Sequence, residues 1–585
     1  QIATDITDTK QTLEYETERP NSLYDPSGSF QNINRRYDIV YGDVMLNFNY
    51  NIRRFDIAAT LGWTGRYENM NNMRVSTNGG LVTENWFDLN ASRYTASSTL
   101  QRMELLKTGY MGTLSLGWDN YLFLELTGRQ ERSSTLKDQS FFYPSANLSF
   151  LFSNAFRMPA WWNHGKLRLS YGIVGNAPET YAANVIYEQG SDNGFTWNYV
   201  PSSWGNANIR PEKKYEYEIG FESKFLNNRV GFDVSYYNNR VKDQILSTPQ
   251  PSTSGVKYVL MNVGEVANEG WDISVSATPI LTKDFRWDLT ANYGIYRNKV
   301  VKLAEGVPYL EISNIGGGGA KIQAVEGRPM GDIYVQVPQV NENGDYLVSD
   351  KGLYLNQTDL QRVGNINPDG VGGLFSSFSY KNIFLDFSID FRIGGDVINE
   401  MYQYSTASGL TPESLQYRDT EHGGLSYYYP GNNNASGVPV QVDPSLGAGP
   451  NGEVIYHDGV ILPGVVASTG EKNTRIIPAG YYYNQTYNWG TQPEQYTYRH
   501  SVFDNTYVKL RELTVGYQFP EKLVSKLGMT RLSVSVFGRN LFYFYKALKN
   551  YDAESSVGTS WASQAVVGGS TTATRNFGVS LRASF

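Results

Sequence analysis

The sequence ends in Phe577-Gly-Val-Ser-Leu-Arg-Ala-Ser-Phe585, where Phe577, Val579, Leu581, Ala583 and Phe585 alternate with Gly578, Ser580, Arg582 and Ser584. A period of two puts the apolar side chains on one face of a strand and the polar ones on the other. A half-buried edge strand in a soluble protein has this pattern. So does a strand with lipid on one side and water on the other, and the upstream sequence separates the two.

The alternation recurs in pairs. Val44, Leu46, Phe48, Tyr50 and Ile52 run to a turn at Arg53 and Arg54, and Phe55, Ile57, Ala59, Leu61 and Trp63 return. Asp119-Asn120, Asn227-Asn228, Thr282 to Asp284 and Lys381-Asn382 mark further tight turns between alternating runs. The polar partners define a second face: Asp272, Ser274 and Ser276; Arg286, Asp288, Thr290 and Asn292; Asp386, Ser388, Asp390 and Arg392. About 15 strands of roughly ten residues are predicted, the length that crosses a bilayer at a barrel's tilt. Residues 1–40, polar and interrupted by Pro20 and Pro26, are predicted as a loop segment, and 41–585 as the strand-bearing portion. One set of connections is short, with 65–93 a longer one. The others, 174–213, 238–268, 296–371, 393–505 and 540–572, are long. An outer-membrane barrel has this asymmetry, short periplasmic turns against long external loops, whereas a sandwich puts loops at both ends. The fold class expected is therefore all-β, a transmembrane antiparallel β-barrel whose polar face lines the lumen.

Composition agrees. Among 585 residues there are 44 Tyr, 27 Phe, 11 Trp and 57 Gly, and only 18% are charged, a mix suited to strands, turns and aromatic girdles. No run of about 18 apolar residues occurs, so no transmembrane helix is predicted. The absence of cysteine excludes disulfides, thiolate metal sites and a thiol nucleophile. His164, His422, His457 and His500 lack metal-ligand spacing, and a net charge of -7 argues against nucleic acid. No cofactor is expected. No Gly-x-Ser-x-Gly or His–carboxylate spacing supports an enzyme. No signal peptide is read at Gln1.

Several segments then resemble the SusC/RagA family, the TonB-dependent outer-membrane transporters of the Bacteroidetes. They are Tyr507-Val-Lys-Leu-Arg-Glu-Leu-Thr-Val-Gly-Tyr517, Phe537-Gly-Arg-Asn-Leu-Phe542, Asn550-Tyr-Asp-Ala-Glu554, Lys166-Leu-Arg-Leu-Ser-Tyr-Gly172, Glu326-Gly-Arg-Pro-Met-Gly331 and Asn365-Ile-Asn-Pro-Asp369. The resemblance implies a 22-stranded barrel with an N-terminal plug, worked by the TonB complex and capped by a SusD-like lipoprotein, importing an oligosaccharide or a peptide. On that reading this sequence is the C-terminal portion, with the plug and the remaining strands in another chain or unassigned. Its C-terminus is then periplasmic and Gln1 lies in an extracellular loop. A plugless porin, or a surface glycan-binding protein or adhesin, is the alternative.

The long loops supply the candidate ligand contacts, because aromatic faces stack on sugars or pack on peptides. These are Trp197 and Trp204, then Tyr427, Tyr428, Tyr429, Tyr481, Tyr482, Tyr483 and Trp489; packing of the loops on one another is the competing role. Trp161, Trp162 and Phe585 are expected in a membrane girdle. Asn341-Glu-Asn-Gly-Asp345 is read as a plain turn in preference to a calcium loop.

Overall fold

The computed structural model describes residues 1–16, 27–137, 140–192, 195–488, 498–548, 550–569 and 573–585. Sixteen strands follow one another in chain order through one large sheet. They are β1 (Ile2–Tyr15), β2 (Ser29–Ile52), β3 (Phe55–Leu81), β4 (Ser92–Trp118), β5 (Leu122–Ser133), β6 (Ser140–Phe150), β7 (Trp162–Asn176), β8 (Glu212–Phe225), β9 (Val230–Lys242), β10 (Glu265–Leu281), β11 (Phe285–Lys302), β12 (Gly370–Tyr380), β13 (Ile383–Ile393), β14 (Tyr507–Gln518), β15 (Arg531–Lys546) and β16 (Asn576–Ser584). Two compact units divide the chain, Gln1–Glu222 with Tyr237–Ala267, and Ser223–Tyr236 with Asn268–Phe585.

In the first unit β1 to β7 pair antiparallel, each with the next. Residues with positive φ make the tightest turns, Arg53 between β2 and β3 and Asp119 and Asn120 between β4 and β5. Register lines up the apolar positions across strands. One row reads Ile52, Phe55, Trp118, Leu122, Phe150 and Leu167, and the next Tyr50, Ile57, Leu116, Leu124, Leu148 and Leu169. Successive rows stay apolar as far as Val44, Trp63 and Tyr110, and many of their side chains are solvent-exposed in the isolated chain. Past a row of Gly42, Gly65 and Thr108 comes one further apolar row, Val40, Tyr67 and Leu106, and then the same face turns polar, with Asp38, Asn69 and Glu104 side by side. The apolar belt is thus about nine residues tall along each strand, the length that crosses a hydrocarbon core at barrel tilt.

Aromatic rings mark one margin of this belt. Phe55 stacks on Trp118 at 6.3 Å, and contacts continue through Tyr121, Phe150, Phe152 and Trp162. Trp161 stacks on Trp162 at 5.9 Å. The opposite margin carries Trp63 paired with Tyr110.

Two expectations are corrected here. Residues 1–40 are not all loop: β1 takes Ile2–Tyr15 and the first part of β2 takes 29–40, with Ile2 paired with Gly42, while 17–26 lie outside the described residues. Likewise 65–93 is mostly strand, because β3 and β4 continue well past the belt. In both segments the strict apolar alternation lapses, so sequence periodicity is silent. Adding β1 makes the strand count sixteen and removes the argument that put Gln1 in an external loop.

In the second unit β11 to β16 repeat the two-faced pattern. Trp287, Phe378, Leu385, Val515, Val536 and Val579 form one apolar row. The adjacent polar row reads Arg286, Ser379, Phe384, Gly516, Ser535 and Ser580. Gly516 is required because a Cβ there would lie 2.1 Å from the Phe384 ring. The long connections of this unit are 303–369, 394–506 and 547–575, and its tightest turns are Lys381-Asn382 and Thr282 to Asp284.

A charge tests which face meets lipid. Leu114→Arg in the middle of the apolar belt is expected to destabilise the barrel by about 2–4 kcal/mol, and Ser115→Arg on the polar face by about 1 kcal/mol or less. Guanidinium unfolding in lipid vesicles measures both.

Candidate functional site

The polar face is built by the residues between the apolar ones. In the first unit Asn49, Asn51, Asp56, Ser115, Glu125 and Asn147 surround a concavity of about 750 Å³. In the second, Asp233, Asp272, Asn292 and Asp390 with the Gly372-Gly373 backbone line one of about 650 Å³. Many charges here are paired: Arg286 Nε donates to Asp288 at 2.5 Å, Arg539 Nε to Glu512 at 2.9 Å, and Ser377 Oγ to Asp386 at 2.6 Å. Within each unit a polar surface of this kind can contact polar solutes without burying unpaired groups.

The three connections of the second unit fold over one shared core. Ile322, Ile333 and Ile366 from 303–369 pack with Ile398 and Tyr498 from 394–506 and with Ala562 and Val566 from 547–575. Ile398 and Asn399 also pair in parallel with Val566 and Val567. Two quoted segments meet beside this core. Asn365 Nδ2 donates to Asp332 at 2.9 Å and Asn367 Nδ2 to the Met330 carbonyl at 2.6 Å. The buried Asp332 carboxylate also receives Arg328 at 2.6 Å and Arg362 at 2.9 Å. Arg392 Nη2 reaches the Ile366 carbonyl at 3.0 Å, tying the joint to β13.

Three more quoted segments converge on β14. In the β13–β14 register Ser388 pairs with Glu512 and Ile389 with Leu510, so β14 carries Arg511 as an extra residue relative to β13, and β15 in turn sets Asn540 and Leu541 against it. A bulge turns the side chains beyond it to the other face. Lys509 thereby stands opposite Asp390 on the polar face although Leu513 and Val515 stand on the apolar one. The Lys509 side chain is 2% exposed and its Nζ donates to Glu554 at 2.6 Å, 4.7 Å from the Tyr543 ring centre. Arg511 also donates to Glu554, at 2.7 Å, and to Asp390. Tyr543 donates to Asp552 at 2.6 Å. Burial pushes the Glu554 carboxyl up, but the hydrogen bonds from Arg511 and Lys509 outweigh it and hold it below the ordinary value of 4.5. Loop 547–575 is therefore fastened to the sheet by one carboxylate on two cations. The residues lie inside quoted segments, yet their role was not legible; the break in alternation at Lys509-Leu-Arg-Glu512 was the available signal.

The expected aromatic contacts divide. Tyr427 is 1% exposed, stacks on Tyr456 at 5.5 Å and donates to Asp458 at 3.1 Å. Tyr483 is 3% exposed and donates to the Glu413 carbonyl at 2.8 Å, and burial pushes its phenol up to about 12. Both are buried in the packing of this loop. Tyr482 packs beside Tyr483, and Tyr428 pairs with Ile455. Tyr429 makes an edge contact with Tyr456, and Tyr481 is at the surface. In the first unit Trp197 is exposed, and Trp204 lines a cavity of about 300 Å³ with Asn184, Glu188 and Ser203. Trp489 lies outside the described residues. Phe585 is exposed just past β16. Asn341 Oδ1 accepts from the backbone N–H of Asn343 and of Asp345 at 2.9 Å each, and Gly344 has φ 86°, so that segment is a turn.

Glu554→Gln leaves the buried Lys509 ammonium without its counter-charge. Opening of loop 547–575 is expected to become easier by about 1.5–3 kcal/mol, read by hydrogen exchange. A carboxyl held low contributes stability at neutral pH that is lost as pH falls through its folded-state value. Exchange in the loop of the parent protein should therefore rise below pH 4.5, and the variant should show no such step.

Residues 3–326, more than half of the chain, match the family model described as TonB dependent receptor-like, beta-barrel. The TonB-dependent receptor P3 of Formosa agariphila is 23% identical over 77% of this chain and 42% of its own length. The TonB-dependent receptor SusC of Bacteroides thetaiotaomicron is 27% identical over 38% of this chain and 24% of its own. The structure of the RagAB peptide transporter aligns over all of this chain and 59% of that one, with 18% identity and a TM-score of 0.73. The chain thus spans less than half the length of the curated relatives and about three-fifths of the structural one. It belongs to the TonB-dependent receptor-like β-barrel family.

Proposed function

We propose that this chain forms the greater part of the barrel of an outer-membrane importer. It takes up an oligosaccharide or peptide nutrient together with a SusD-like surface lipoprotein and is driven by the TonB complex. The observation that carries the reading is the two-faced sheet: an apolar belt about nine residues tall on one face, a hydrated polar face on the other, and long connections gathered over a core of their own. Family membership supports the outer-membrane location. The tight turns are assigned to the periplasmic side, with Trp161, Trp162 and Phe585 at that interface. Trp197, Trp204, Tyr429 and Tyr481 remain candidates for contact with cargo at the outer side, and Trp489 is carried with them from the sequence.

The sheet edges bear on the missing parts. Among the described residues β1 is paired along β2 and β16 along β15, and the second edge of each has no strand partner. An unpaired backbone group in hydrocarbon costs several kcal/mol, so further strands of the full transporter are assigned to those edges. A plug filling the lumen completes the device. Moving it from 99% closed to 99% open takes about 5.5 kcal/mol, which coupling to TonB provides without requiring extreme cargo affinity.

Uptake of labelled oligosaccharides and peptides by cells carrying the full-length transporter checks this. Saturable uptake that a protonophore abolishes is expected, with the lipoprotein co-purifying. Uptake that is linear in concentration and indifferent to protonophore would instead mark a passive porin.

A further inference from the structure

The outward face of the first unit carries cations at the margin of the apolar belt remote from the tight turns. At that margin Tyr110 and Phe142 both pair with Gln130, and both rings are exposed. Two residues further along β5, on the same face, Arg132 pairs with Thr108 and with Ser140. Arg132 is exposed, and its side chain makes no hydrogen bond or ion pair among the described residues. β8 and β9 bring further cations to this height. A Cβ on Gly175 of β7 would lie 2.8 Å from the Phe141 ring and 3.6 Å from the Glu212 carbonyl, which sets Lys213 level with the start of β6 and so with Arg132. Exposed Tyr217 and Ile219 mark the outward face of β8, and the period of two carries that face on to Tyr215 and Lys213. Lys242 of β9 stands over the Tyr215 ring at 5.9 Å. Lys213 and Lys242 form no ion pair among the described residues. The carboxylates of this face are taken or distant: Arg240 holds Glu265 at 3.0 Å, and Glu104 stands four residues beyond Thr108 on β4. Asp243, next to Lys242, is held by Arg210 at 3.0 Å. All of these residues belong to the first unit.

We infer that this margin seats the phosphorylated headgroup of a saccharide lipid of the outer leaflet. One phosphate rests on Arg132 beside the Thr108 and Ser140 hydroxyls, a second lies between Lys213 and Lys242, and the acyl chains run along the apolar rows. Two features select this occupant. The cations are continuous with the lipid-facing belt through the aromatic row of Tyr110 and Phe142, so the molecule next to them is a lipid. Their charge is left uncompensated by the protein, so its headgroup is anionic, and a phosphate accepts from guanidinium and ammonium alike. Neighbouring strands lie about 4.8 Å apart, which puts Arg132 and Lys213, three strands from one another, roughly 14 Å apart. A single phosphate does not span that distance, whereas two phosphates joined through sugars do. The inference rests on the placement of the long connections on the outer side and is independent of the cargo.

The test titrates diphosphoryl lipid A onto the purified full-length transporter in phosphatidylethanolamine nanodiscs and counts bound lipid by native mass spectrometry. Saturable binding is expected, weakened at least fivefold by R132Q/K213Q/K242Q and restored in R132K/K213R/K242R. Removing three cations at the tight-turn margin instead, as R157Q/K283Q/K381Q, should leave it unchanged. Lipid A stripped of its phosphates should bind the parent protein at least fivefold more weakly, a comparison that stands even where a triple variant fails to assemble. Binding indifferent to R132Q/K213Q/K242Q, equal weakening by both glutamine triples, or equal binding of the dephosphorylated lipid or of phosphatidylglycerol would each overturn the inference. Protonophore-sensitive uptake by the same transporter in cells fails separately if the transport reading is wrong, so the two failures are distinguishable.

Discussion

Every backbone N–H and C=O that enters hydrocarbon has to find its partner inside the protein, and among the described residues the sheet strands find theirs in the next strand, the outer edges of β1 and β16 apart. That single requirement explains why β1 to β7 and β11 to β16 run as consecutive antiparallel neighbours, and why turns such as Arg53-Arg54 and Lys381-Asn382 are as short as geometry allows. Once the ladder is fixed, alternation follows. Each strand offers one side chain to lipid and the next to water, and register stacks these into apolar and polar rows.

The same constraint decides how much could be read from sequence. Alternation was legible where lipid imposes it: Val44–Ile52, Phe55–Trp63 and Phe577–Phe585 were identified as strands, and the Asp386-to-Arg392 polar partners fall on the face opposite Leu385 and Phe387. Where β1 and β3 run beyond the belt the strict apolar alternation lapses, and those stretches were taken for loops. The pattern therefore reported the membrane-crossing part of a strand and not the strand. At Arg511 a bulge breaks the period, and the ion pairs of Lys509 with Glu554 and of Arg511 with Glu554 and Asp390 were hidden for that reason.

The loops obey a different rule. In water their aromatic residues gain most by packing, so the conspicuous tyrosines Tyr427 and Tyr483 became the centres of small cores while Tyr481 and Trp197 stayed outside. Richness in aromatic residues identified the loops that fold, without distinguishing which rings stay free. Fastening a loop by Glu554 on a buried lysine is a directional alternative to more apolar burial, and it leaves the polar face beneath hydrated.

The placement of the belt is the claim on which the rest stands, and the absence of cysteine makes it directly measurable. Single cysteines introduced from Phe55 to Met73 of β3 can carry nitroxide labels in the native outer membrane. Collision rates with oxygen and with a water-soluble nickel chelate then report the surroundings of each site. The account predicts strict alternation from Phe55 to Trp63, odd positions exposed to oxygen and even ones to nickel, replaced beyond Tyr67 by access to nickel at both. Alternation that continued unchanged to Met73, or nickel access at every position from Phe55 onward, would contradict it.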